Sequence, residues 1–330
     1  MSPPPVCLRI SFEFHSTRAD MGKEVSAFAP ASVSNVSCGF DIMGFALEGA
    51  GDTVTARLSS SPGVKIGKIT GSRSQLPVDS AANTAGPPVL ALLRECAPGT
   101  GVEIDICKGI PVGGGIGSSA ASAVAAVVAA DALLGTGLPR ERLLALAIEG
   151  EKIASGAVHV DNLSPCLWGG FILVRGYHPI DIVRIRVPDT LWCSVISPMV
   201  EVRTDHARRI LPKEIPLRDV ITQTGNAAGL IAGLFAGDIP LIGRSLEDVI
   251  AEPARRHLIP GFEAMKAAAL ANGAIGCGIS GSGPSLFTFA SSRSAAETIA
   301  AAMENALKET GLSCTTLVSR VGGSGARIVS

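Results

Sequence analysis

Aromatic side chains are scarce in this 330-residue chain: one Tyr, two Trp and ten Phe make up 4% of it. Rings alone cannot fill a core at that level, so Ala, Val, Leu and Ile must build it, and Ala-rich helices must pack closely. Strong charge of either sign is also missing. A formal net charge of −1 argues against the basic surface that draws a protein to nucleic acid or anionic membrane. No apolar run reaches the about 18 to 20 residues of a membrane span. The longest candidate, residues 120–134, is Ala-dominated and interrupted by Asp131. None of the eight cysteines (Cys7, Cys38, Cys96, Cys107, Cys166, Cys193, Cys277 and Cys314) forms a C-x-x-C pair. Most sit among apolar residues, which reads as reduced, buried thiols in a soluble cytoplasmic protein.

What the chain does have is glycine, 38 residues of it, and 47% hydrophobic residues, enough for one large or two medium domains. Residues 1–21 carry Pro3, Pro4 and Pro5 and no apolar core suited to a signal peptide, so they read as a leader outside the fold, with Met21 an alternative start. Residues 25–28 and 52–58 alternate like strands, separated by a glycine-rich stretch over 38–51, and 102–107 reads as another strand. A helix over 118–134 ends at Gly135 and Gly137, with Pro139 beyond, and a second helix covers about 140–155. Strands follow over 171–175, 180–186 and 191–196. Later come helices over 225–236, 241–250 and 261–271, a strand–turn–strand over 275–289, an amphipathic helix over 295–309 and a last strand near 315–319. The mixture predicts two fused α+β domains with a ligand site between them, divided as residues 22–185 and 186–330.

The strongest local signal is the run Pro111-Val112-Gly113-Gly114-Gly115-Ile116-Gly117-Ser118-Ser119-Ala120. Glycines let backbone N–H groups approach a ligand, and a helix starting at the serines points its positive dipole end at the same place. Together they bind phosphate without a lysine. No Lys follows Gly117, so the P-loop pattern is absent; Gly113 and Gly115 have no third glycine at dinucleotide-motif spacing. Close packing of a helix on a sheet is the other use of such glycines.

This run is similar to the phosphate-binding motif of the GHMP kinases. Two further motifs of that superfamily occur in order: Ala29-Pro30-Ala31-Ser32 through Asn35 to Gly39-Phe40-Asp41, and Ile279-Ser280-Gly281-Ser282-Gly283-Pro284-Ser285. The departures are Ile116 in place of Leu and Gly114 in place of a frequent Ser. The resemblance runs from about Gly22 to the C-terminus. It implies an α+β two-domain GHMP kinase fold: an N-terminal ATP-binding domain like ribosomal protein S5 domain 2 and a ferredoxin-like C-terminal domain.

Within the superfamily the chain resembles the homoserine kinases, through Gly150-Glu151, His159-Val160-Asp161-Asn162, Pro165, Gly169-Gly170, Val202-Arg203-Thr204 with Arg208, Ala251-Glu252-Pro253 with Arg255, Ile259-Pro260-Gly261 and Gly325-Ala326-Arg327. The resemblance implies that Asn35, Asp41, His159, Arg208 and Arg255 bind the amino-acid substrate, and that Asn162, His159, Thr204 and Arg208 serve the reaction. It places Asn83 near the nucleotide base; Pro111, Gly113, Gly114, Gly115, Ile116, Gly117, Ser118, Ser119 and Ala120 around the phosphates; and Ser119 and Glu151 on Mg²⁺. It also implies a homodimer. The chemistry agrees: a zwitterion needs forked cations for its carboxylate, as Arg208 and Arg255 offer, and an acceptor for its ammonium, as Asp41 offers.

Bland alternatives stand beside these roles: Arg208 and Arg255 as solvated members of basic stretches, Asn83 as a helix cap, Glu151 as a surface carboxylate. Mevalonate and galactose kinases carry an Asp where this chain has Asn162, and an amide cannot take a proton. Asn162 is therefore expected to orient the hydroxyl, with Asp161 as the rival base. The competing readings are another GHMP kinase, acting on mevalonate, shikimate or a sugar, and a non-catalytic ligand sensor of the same fold.

Overall fold

The computed structural model describes residues 23–330 apart from 73, 156 and 157. The expected leader over residues 1–21, with Cys7, lies outside the described residues. The strands are β1 (Glu24–Ser34), β2 (Met43–Ser59), β3 (Gly63–Thr70), β4 (Gly101–Cys107), β5 (Phe171–Tyr177), β6 (Ile180–Ile185), β7 (Trp192–Pro198), β8 (Gly276–Ile279), β9 (Leu286–Ala290), β10 (Cys314–Arg320) and β11 (Arg327–Ile328). The helices are α1 (Gly86–Cys96), α2 (Ser118–Leu134), α3 (Arg140–Ser155), α4 (Val160–Trp168), α5 (Thr204–Arg209), α6 (Leu217–Ala236), α7 (Ile239–Ser245), α8 (Ala251–Arg255), α9 (Phe262–Ala271) and α10 (Arg293–Lys308).

The first sheet runs β11-β1-β2-β4-β3, with β5 on β2 and β6 on β5; only β3 and β4 pair in parallel. The second runs β10-β7-β9-β8, all antiparallel. Numbered along the chain, that order is fourth, first, third, second, the split βαβ arrangement of a ferredoxin-like domain. Helix α2 lies on β1 and β2, flanked by α1, α3 and α4. All of its Ala and Val residues but Val128 and Ala132 are buried, as a central helix requires.

Strand β3 and helices α1 and α4 were not expected from sequence, and two further features depart from the reading of the first sheet. The stretch over 38–51 is largely strand, because β2 starts at Met43. Its glycines mark close backbone approach instead of a break: a Cβ on Gly44 would stand 1.9 Å from the Asp161 carbonyl. The second departure is β11, which follows the second sheet in sequence yet pairs with β1 in the first, Ala27 opposite Ile328. The end of the chain thus returns to the sheet begun near residue 24, unlike the expected division at 186. Farther along, α7 stops at Ser245, short of the expected 250. Among the described residues all cysteines are free; Cys38, Cys166 and Cys277 are buried, and desolvation pushes each thiol up to about 12.

One apolar core passes through both halves. Phe45 on β2 stacks on Phe171 of β5 at 5.8 Å and meets Phe287 and Phe289 of β9 at 6.1 and 5.6 Å between centroids. All four rings are fully buried. With so few aromatics, this cluster concentrates much of the large-side-chain packing between the sheets. Replacement of Phe45 by Ala is expected to cost about 3–5 kcal/mol, read from urea denaturation. A loss below about 1 kcal/mol would mean that the cluster does not join the halves.

Candidate active site

Gly117 precedes α2 in the left-handed region (φ 71°), and no side chain caps the helix. Its first N–H groups are left for a ligand at the positive dipole end. Gly113 and Gly115 are also left-handed, at φ 71° and 76°. A Cβ on Gly115 would stand 2.6 Å from the Gly283 carbonyl oxygen and 2.7 Å from that of Ser280. The phosphate-type loop therefore lies directly against the glycine loop between β8 and β9. Ser280 Oγ donates to the Gly115 carbonyl at 2.7 Å, and Ser285 Oγ to that of Gly114.

These loops wall a cavity of about 600 Å³. Of the residues singled out from sequence, Asn35, Asp41, Asn83, Gly113, Gly114, Gly115, Gly117, Ser118, Ser119, Glu151, His159, Asn162, Thr204, Arg208 and Arg255 all line it. Pro111, Ile116 and Ala120 do not. Ile116 and Ala120 are buried in the core, holding the loop from behind. Asn83 donates to the Pro77 carbonyl at 2.8 Å and accepts from the Ala85 N–H at 3.1 Å, so it organises the turn before α1 while facing the cavity.

At the other end, residues 35–41 form an unusual turn: Asn35, Val36, Ser37 and Asp41 all have positive φ, at 67°, 44°, 56° and 59°. Such strain persists only where surroundings impose it. Asn35 Oδ1 accepts from the Asp41 N–H at 2.9 Å, and Asn35 Nδ2 donates to the Gly281 carbonyl at 2.7 Å. Tyr177 Oη donates to the Asp41 carbonyl at 2.5 Å. Arg208 Nη2 reaches both Asp41 carboxylate oxygens at 2.8 Å. Arg255 is 4% exposed, and donates from Nε to the Ala207 carbonyl and from Nη1 to that of Gly281. It is therefore no solvated surface arginine. Phe40 holds both guanidinium carbons over its ring, Arg208 at 5.7 Å and Arg255 at 5.1 Å from the centroid.

Between the two ends stands α4. Asn162 accepts from Ser32 Oγ at 3.0 Å and donates to Ser34 Oγ at 2.8 Å, which fixes its amide. Asp161 Oδ2 accepts from the Asn35 N–H at 3.3 Å. His159 Nδ1 lies 3.0 Å from Glu151 Oε2, and since a carboxylate only accepts, the ring N–H donates. Glu151 is buried at the cavity wall. Thr204 Oγ1 lies 3.3 Å from Ser282 Oγ.

Sequence reasoning missed a buried group beneath the helix start. Lys108 Nζ pairs with Asp52 and donates to Ser122 Oγ at 2.8 Å and to the Ser118 carbonyl at 3.0 Å; Ser122 Oγ donates to Asp52 Oδ2 at 2.7 Å. Burial holds the Lys108 ammonium below its ordinary range, with Asp52 opposing. A lysine ahead of the glycine loop was the available signal; its partner 56 positions earlier was not visible.

Comparison with known proteins bears on the family of the chain. The models for the GHMP kinases N terminal domain and the GHMP kinases C terminal domain match residues 83–170 and 230–310. A homoserine kinase from Chloroherpeton thalassium is 48% identical, the match covering 87% of this chain and 93% of the relative. One from Chlorobaculum tepidum is 44% identical over 93% and 99%. The chain belongs to the homoserine kinase family. The crystal structure of a homoserine kinase from Cytophaga hutchinsonii superposes with a TM-score of 0.90 at 46% identity, covering 96% of this chain and all of that one (100%).

In this homoserine kinase family member, burial and neighbouring charges shift Asp161 and His159 at the start of α4. Burial, and next the charge of Asp41, push the Asp161 carboxyl up to about 7, with Glu151 adding and with His159 and the Asn35 N–H opposing. For His159, burial acts against the charged ring, but the Glu151 hydrogen bond and the charges of Glu151, Asp161 and Asp41 outweigh it and raise the imidazole. The unfolded Asp161 carboxyl ionises from about pH 4, whereas the folded one keeps its proton to about 7. Across that window the unfolded state binds fewer protons, so this group makes stability fall as pH rises. Asp161→Asn is expected to shrink the stability difference between about pH 5 and about pH 8 in urea denaturation. An unchanged difference would refute the assignment.

Proposed function

We propose that the protein transfers the γ-phosphoryl group of ATP to the side-chain hydroxyl of L-homoserine, giving O-phospho-L-homoserine and ADP, a step toward threonine. The carrying observation is one cavity with an open helix start and left-handed glycines at one end and Asp41, Arg208 and Arg255 at the other. The first end suits a polyanionic phosphate chain and the second a zwitterion. In the resting protein Asp41 and Arg208 neutralise each other; a bound amino acid exchanges that pair for two, its ammonium on Asp41 and its carboxylate on Arg208 and Arg255.

In the transfer, the hydroxyl oxygen bonds to the γ-phosphorus as the bond to the ADP oxygen breaks. A loose transition state asks little of a base, so alignment and charge neutralisation dominate. Asn162 is assigned to the hydroxyl, which Ser32 and Ser34 hold it ready to meet, and the proton leaves on the transferred phosphate. Thr204 and Arg208 face the same space, and His159 steadies Glu151. Two donors fit Mg²⁺: the Glu151 carboxylate and the Ser119 hydroxyl, both on the cavity wall. The Ser118 hydroxyl instead donates to the Ile110 carbonyl at 3.3 Å, which favours Ser119. Mg²⁺ is content with few protein oxygens, taking the rest from phosphate and water, and would supply charge neutralisation.

Among the described residues no helix is long and apolar enough to cross a membrane. We place the enzyme in the cytoplasm as a homodimer. Leu217, Ile221 and Phe235 stand exposed on α6, which supports self-association; sedimentation that finds only monomer at micromolar concentration would remove the dimer.

The decisive assay follows ATP consumption with Mg²⁺ and L-homoserine, beside mevalonate, shikimate, galactose and L-serine. Turnover is expected with homoserine alone and is lost on chelation of Mg²⁺. Clear turnover with another alcohol and none with homoserine would keep the phosphate loop and overturn the roles of Arg208 and Arg255. In the same assay Asp161→Asn is expected to retain turnover within about tenfold, because no base is required. Complete loss with both ligands still bound would make Asp161 the proton acceptor.

A further inference from the structure

The strained turn over residues 35–41 needs holding from outside as well as from within the cavity. On its outer side stands Gln223 of α6, a buried residue that does not line the cavity. Its Nε2 donates to the Cys38 carbonyl and to Asp248 Oδ1, both at 3.1 Å, and its Oε1 accepts from the Val249 N–H at 3.0 Å. Both amide hydrogens and the amide oxygen are thus engaged, each with a different partner.

Asp248 is the second half of the junction. Its Oδ1 accepts from the N–H groups of Ile250 and Ala251 at 2.9 and 2.8 Å, and its Oδ2 from Glu252 at 2.9 Å. It therefore caps the one-turn helix α8, which ends at Arg255. A five-residue helix is too short to hold itself by its own hydrogen bonds, so its placement depends on this cap. One amide therefore ties the turn carrying Asn35 and Asp41 to the helix carrying Arg255. Across the cavity, the same two elements meet again where Asn35 and Arg255 share the Gly281 carbonyl at 2.7 and 3.1 Å.

We infer that Gln223 is a positioning residue for the amino-acid subsite: it sets the spacing between the ammonium acceptor Asp41 and the carboxylate donor Arg255, and so governs homoserine binding without touching substrate. This rests on the reading of that subsite given above. The phosphate loop lies outside the junction; its supports are Ser280, Ser285 and the Lys108 group. The effect therefore falls on one substrate only. A glutamate at 223 would keep the shape but oppose two acceptors, Asp248 and the Cys38 carbonyl, with a third.

The test is steady-state kinetics of the full chain with both substrates varied, alongside thermal unfolding. Gln223→Met, which keeps length without donors, is expected to raise the homoserine KM about tenfold, and Gln223→Glu further still, while the ATP KM and kcat stay within about twofold. Should both variants fail to fold, Asp248→Asn weakens the same junction from its other end and is expected to show the same split. Parallel rises in both KM values, or a lowered unfolding temperature with an unchanged homoserine KM, would overturn the inference and leave Gln223 a structural residue. Arg255→Lys in the same assay separates the two readings. If it raises the homoserine KM and the Gln223 variants do not, only the positioning role fails; if it too is without effect, the subsite assignment fails first.

Discussion

Everything at the site depends on two glycine loops from opposite halves of the chain lying backbone to backbone. No side chain fits between Gly115 and the carbonyls of Ser280 and Gly283. Two serine hydroxyls from the second loop hold carbonyls of the first, which turns the loop's polar groups so that its N–H groups remain for a ligand. The phosphate end is thereby built by one domain and held in shape by the other. A single Cβ at position 115 would push the halves apart, and the cavity exists only while they are together.

The opposite end shows a different economy of charge. Asp41 and Arg208 are partly exposed and paired, whereas Arg255 is buried with its donors on backbone carbonyls. Burial pulls the Arg255 guanidinium below its usual range, with Asp41 opposing, yet an arginine remains charged throughout the physiological span. A buried cation and a partly exposed one can close on one carboxylate from two directions. The aromatic face of Phe40 lets two like charges stand near each other at reduced cost.

Local signals were legible and remote ones were not. An apolar run ended by Gly135 and Gly137 bounded α2, helical spacing marked α3, and residues of all three motifs lie along the cavity wall. Helix α1 was not assigned, although its Pro87 and Pro88 stand in a first turn, where proline is favourable. Helix α4 was missed because Pro165 lies inside it and glycines follow. The Lys108–Asp52 pair, the bracing of Asn162 by Ser32 and Ser34, and the aromatic cluster about Phe45 join residues far apart in sequence. No window of residues contains them. Pro111, Ile116 and Ala120 show the converse: a motif records what the loop needs to keep its shape as well as what touches ligand.

Strand β11 has a consequence for how the molecule is made. Its two residues are made some three hundred positions after β1, yet they cover an edge of the sheet that β1 and β2 begin. Until β11 is made, β1 presents an unpaired row of backbone groups. The nascent N-terminal half is therefore a body with an open seam, sealed only when β11 arrives. A stalled or truncated product would carry the phosphate loop but keep the seam.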